Sequence, residues 1–166
     1  MLRSVTDYAS RITFQFPLPI LEIIMSNPEA NKEIIRRYQK AYNTNNLDAL
    51  DAVVAADVKT PGALPGFAPG LEGAKHMHRV TVDAWPDWQT TLEDLIAEGD
   101  YVVARVTCSA TPQKEAFGVP PTGKSFKIAG TYIARIQDGK IVEHFGIEDS
   151  IGIMQQLGLM PAPGGL

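Results

Sequence analysis

The sequence predicts an α+β domain in which helices pack on one face of a curved, mainly antiparallel sheet. Two observations carry this. Apolar residues recur at helical spacing up to Trp85, and from Trp88 onward the period changes to two. The order is therefore helices first, then a meander of strands, then one short closing helix, which is the pattern of a segregated α+β fold. The 166 residues suit one domain with a real core.

Residues 28–45 read as the first helix. Asn27 can cap it, Pro28 suits the first helical position, and Glu29 favours the positive end. Ile34, Ile35, Tyr38, Ala41 and Tyr42 share one face. Leu47 to Ala56 is expected to form a short second helix, carrying Leu47, Leu50, Val53 and Val54. Residues 58–70, rich in proline and glycine, form a long loop on which Leu64 and Phe67 suit a lid over an apolar cavity. Leu71 to Trp85 is the third helix, ended by Pro86.

Trp88–Ala97 and Asp100–Thr111 are two strands joined at Glu98-Gly99. In the second, Val102, Ala104, Val106, Cys108 and Ala110 face one way, and Val103, Arg105, Thr107 and Ser109 the other. A second long loop, 112–124, precedes the last pair, Ser125–Gln137 and Lys140–Glu148. Asp138-Gly139 is the turn between them, because glycine admits the positive φ such turns need. A two-residue loop pairs Ile136 with Ile141, Ala134 with Glu143, and Tyr132 with Phe145. These would share an apolar face with Ile147 and Asp149, leaving Arg135, His144, Thr131, Gln137 and Lys140 on the other. Ile151–Leu157 is the terminal helix.

Composition excludes several functions. A net charge of −4, with no basic run, argues against a nucleic-acid surface. No apolar run is long enough to span a bilayer. One cysteine excludes an intrachain disulfide and leaves the compartment unmarked, so cytoplasmic is the default. His76 and His78, two apart on a helix, do not converge on one metal, so no metal site is expected. Residues 1–25 read as an extension outside the domain, which spans 26–160, with a flexible tail at 161–166. Pro17, Pro19 and Glu22 interrupt the apolar stretch of the extension, and no small-residue cleavage site follows.

The segments PDWQTTLEDLIAEGDYVVARVT, GVPPTGK, RIQDGKIVEHF and DSIGIMQQLGL resemble the SnoaL-like polyketide cyclase (ester cyclase) family, from about Asn31 to Leu159. The resemblance implies a cystatin-like cone of the kind found in nuclear transport factor and ketosteroid isomerase relatives. It also implies cofactor-free intramolecular aldol chemistry and a homodimer through the sheet. The family's acid/base aspartate, just before the terminal helix, would be Asp149, with His78 sharing or orienting the proton. An apolar or aromatic small molecule would be held by Tyr38, Tyr42, Phe67, Trp85, Trp88, Arg105, Tyr132, Glu143 and Phe145. Aspartate before a helix is also a favoured cap, so a purely structural Asp149 in a non-catalytic binding domain is the competing reading. An isomerase, epoxide hydrolase or dehydratase on the same fold is the third.

Overall fold

A computed structural model describes residues 27–61 and 64–161. The expected extension at 1–25 and the tail beyond Pro161 lie outside the described residues. Helix α1 (Pro28–Asn43) starts as its sequence dictates, with Asn27 Oδ1 accepting from the Ala30 amide at 3.0 Å. A 3₁₀ turn follows at Leu47–Ala52. The chain then does not continue as helix: Val54–Lys59 is a strand, β1. It is followed by α2 (Gly70–Ala84), β2 (Gln89–Glu98), β3 (Tyr101–Ala110), β4 (Phe126–Gln137), β5 (Lys140–Glu148) and α3 (Ser150–Gln156).

The sheet is five-stranded and mixed, in the order β1-β5-β4-β3-β2. β1 runs parallel to β5; every other pair is antiparallel. The expected four-strand meander is thus extended by a strand whose first half falls in the expected second helix and whose end falls in the expected loop. The reason is tertiary. Val53, Val54 and Val58 are buried, and the Ile141 amide donates to the Val53 carbonyl at 2.8 Å, so pairing with a distant strand overrides the local helical spacing.

Two irregularities in the antiparallel register shape the sheet. On β2, Leu92 pairs with Val106 but Asp94 with Arg105, so Glu93 is an extra residue. On β5, Ile141 pairs with Ile136 but Glu143 pairs with Arg135, so Val142 is extra. Each is a β-bulge, which bends a strand and re-aims every side chain after it. The second corrects the face assignment made from the two-residue turn. Beyond Val142, His144, Gly146 and Glu148 lie on the helix-facing side, opposite Ala134, Tyr132 and Gly130. Glu143, Phe145 and Ile147 turn to the outer face with Arg135, Ile133 and Thr131. The slip is one residue, and one residue exchanges the two faces.

Two apolar clusters fill the helix-facing side. One joins α1, the 3₁₀ turn and β1 to Val102, Ala134, Ile136 and Ile141. The other joins Ala84 and Trp85 to β3, the start of β4, and Ile153 and Leu157 of the closing segment. Leu50 and Ile141 are fully buried, each contributing roughly 1.5–3 kcal/mol. Lys75 ties α2 down: its Nζ bridges Asp51 at 2.8 Å and Glu72 at 3.2 Å. Among the described residues no helix is long and apolar enough to cross a membrane.

Candidate active site

A group of polar and aromatic side chains lies between the two clusters. β5 supplies His144 and Glu148, β4 supplies Tyr132, β3 supplies Cys108, and α1 supplies Tyr38 and Tyr42. They are brought together by strand alternation on β3 and β4 and by the bulge on β5. The Tyr132 hydroxyl donates to Glu148 Oε1 at 2.6 Å, the short distance of a bond to a charged acceptor. Cys108 Sγ lies 3.4 Å from the Tyr132 hydroxyl and 3.9 Å from Glu148 Oε1, and Thr90 Oγ1 lies 3.6 Å from the same sulfur. With the Tyr132 proton committed to Glu148, the one thiol proton has two acceptors within reach, the phenol oxygen and Glu148 Oε1.

On the other side of Tyr132 is His144, with ring centroids 5.3 Å apart. Tyr38 flanks His144 at 5.2 Å, Tyr42 packs tilted against Tyr38 at 4.7 Å, and His78 meets the Tyr42 ring edge-on at 4.7 Å. The row therefore runs His78–Tyr42–Tyr38–His144–Tyr132–Glu148. Between Tyr38, Gln39, Tyr132 and His144 is a cavity of about 10 Å³, the room one water needs, walled by Ile35, Val102, Ala104 and Ala134.

Burial sets the protonation states. Loss of solvent lowers the His144 pKa to about 4, so its imidazole is neutral at pH 7. Burial likewise lowers the His78 pKa, with a smaller push from Arg79. Burial, then the charge on Glu148, holds the Tyr132 phenol far above its ordinary value; burial does the same for Tyr38. It also pushes the Cys108 thiol up, which removes it as a thiolate nucleophile. The site thus offers a half-buried carboxylate, a phenol bonded to it, and a neutral imidazole. Among the described residues no three His, Cys, Asp or Glu side chains gather as a metal site.

The structure gathers four of the residues the sequence singled out: Tyr38, Tyr42, His78 and Tyr132. It places the others elsewhere. Asp149 is exposed and caps α3, its Oδ1 accepting from the Gly152 amide at 2.8 Å. Arg105 is exposed on the outer face, bound to Asp94 at 2.6 Å. Glu143 faces outward beside Arg135, at 3.7 Å, and Phe145 faces outward opposite Ile133. Trp85 and Trp88 stack at 5.7 Å in the second apolar cluster, and Phe67 lies against His76 and Phe117. The sequence reading passed over His144 and Glu148. The one trace of their orientation is the adjacent apolar pair Ile141-Val142, which interrupts strict alternation where the bulge occurs.

The model of the SnoaL-like polyketide cyclase family matches residues 32–157. The aklanonic acid methyl ester cyclase DnrD of Streptomyces peucetius is 29% identical over 132 residues, covering 76% of this chain and 89% of that protein. Among solved structures, TsrD from Streptomyces laurentii superposes with a TM-score of 0.74 at 28% identity, over 81% of this chain and 99% of that one. IdmH from Streptomyces antibioticus gives 0.68 at 32% identity, over 77% and 98%. The chain therefore belongs to the SnoaL-like polyketide cyclase family.

Proposed function

We propose that this protein closes a ring of an aromatic polyketide-like substrate by a cofactor-independent intramolecular aldol reaction, with Glu148 as the general base. The observation that carries this reading is the half-buried carboxylate of Glu148, bonded to the Tyr132 phenol beside a neutral His144. The carboxylate removes a proton from a carbon flanked by electron-withdrawing groups. That carbon attacks a ketone within the same molecule, a carbon–carbon bond forms, and the ketone oxygen takes up a proton to become the alcohol. Product and substrate are isomers. A neutral imidazole is suited to donating a hydrogen bond to the ketone oxygen as negative charge develops there. Tyr38 and Tyr42 supply flat apolar walls on the helix side. Because the cavity holds about one water, a polycyclic substrate enters only as these side chains give way.

The outer sheet face supports assembly as a homodimer. Ile96, Val103, Ile133 and Phe145 pair in one row across β2 to β5, with Ile147 in the next, and Ile96 and Ile147 are 68% and 62% exposed. Such a stripe is larger than scattered apolar exposure accounts for.

The test uses aklanonic acid methyl ester, the substrate named for the relative DnrD. Glu148→Gln is expected to slow formation of the isomeric product by about 10²–10⁴-fold. Asp149→Asn, which keeps a favoured capping residue, is expected to stay within a few-fold of wild type. The reverse order would move the acid/base role to Asp149.

A further inference from the structure

The turn at Ala116–Val119 is built against its own backbone preference. Ala116 and Val119 exchange two main-chain hydrogen bonds, at 3.2 and 2.9 Å, enclosing Phe117 and Gly118. Both central residues have positive φ, 54° and 76°. Two-residue turns of this kind take asparagine, aspartate or glycine at the first position, because a side chain branching into a bulky ring is strained in the left-handed region. A phenylalanine there costs stability. Burial offsets that cost only in part, since Phe117 remains 38% exposed. Strain retained at one residue points to a use for its side chain.

The surroundings of Phe117 indicate that use. Its ring lies edge-on to Trp85 at 5.7 Å and meets Phe67, from the other long loop, at 6.3 Å. Trp85 is 4% exposed and stacks on Trp88. Its indole Nε1 is buried with no acceptor among the described residues. A buried donor without an acceptor is unfavourable, and a ligand oxygen relieves it. The cluster around Trp85 also contains Cys108, and Tyr132 packs against it, so it is continuous with the carboxylate–phenol pair.

We propose that Phe117, with Phe67 and Trp85, forms a second subsite that grips the far ring of a planar, oxygen-bearing aromatic substrate. This rests on the reading above that the ligand is aromatic. The ring stacks on Phe117 and Phe67, and a carbonyl or phenol oxygen on it accepts from Trp85 Nε1.

The chain has two tryptophans, and both lie in this cluster, so intrinsic fluorescence reports on it directly. The probe is 1,8-dihydroxyanthraquinone, titrated into the full chain. Wild type is expected to show saturable quenching. Phe117→Asn is expected to weaken binding about tenfold, the loss of one good aromatic contact, while melting at or above the wild-type temperature, because asparagine suits the turn. Phe67→Ala should weaken binding in the same direction. Wild-type affinity in Phe117→Asn, a lower melting temperature for that variant, or no saturable quenching of wild type would each overturn the proposal. Glu148→Gln separates this proposal from the acid/base assignment: it should bind the probe as wild type does and fail in turnover. Full turnover by Glu148→Gln would reject the base and leave the subsite standing.

Discussion

His144→Phe should make the protein less sensitive to acid. The imidazole sits between Tyr38 and Tyr132, with Glu148 beyond Tyr132, and burial lowers its pKa from about 6.5 in the unfolded chain to about 4 in the fold. The unfolded chain therefore binds the proton first as pH falls. Stability is present in full above pH 6.5 and is lost as pH falls from there through about 4. The whole effect is about 3 kcal/mol, and about 2 kcal/mol of it falls between pH 7 and pH 5. Phenylalanine keeps an aromatic ring in the row and cannot titrate. Burial also lowers the His78 pKa, but His78 is present in both proteins and its contribution cancels. Urea unfolding at pH 7 and pH 5 should show wild type losing about 2 kcal/mol more than His144→Phe. Equal losses would mean that His144 is solvated, and the enclosed site described above would not stand.

Asp149→Ala should cost about 1 kcal/mol through the α3 cap, read by urea unfolding; no change would show that the Gly152 bond contributes nothing. Gly73→Ala should destabilise by about 3 kcal/mol, because a Cβ there runs into the backbone oxygen of Ala68, and a variant as stable as wild type would show that the α2 start can shift freely. Sedimentation should show a dimer that Ile133→Asp converts to monomer, since Ile133 lies in the middle of the outer apolar row; a monomeric wild type would reject assembly through this face.

The local signals in the sequence were dependable where the structure is local. Asn27 caps α1, Pro86 follows α2, Asp138-Gly139 forms the hairpin turn with φ of 50° and 74°, and Val102 to Ala110 alternate as expected. Two features depend on distant partners and were not legible. β1 begins inside a stretch with helical spacing and ends in one that reads as loop, and it becomes a strand because β5, more than eighty residues later, offers it a parallel edge. The bulge at Val142 is a single residue, and turn chemistry at 138–139 carries no information about it. Its consequence is large, because strand alternation passes the error to every later position. That is why the tyrosines on α1 and β4 could be picked from their spacing, while the carboxylate facing them is Glu148 and the histidine beside them is His144.

The register of β5 is the point on which the site depends, and nuclear Overhauser contacts read it most directly. Contacts are expected from the His144 ring protons to the rings of Tyr38 and Tyr132, and from Phe145 to Ile133. Contacts from Phe145 to Tyr132 on the helix-facing side, with His144 free of both tyrosines, would contradict it.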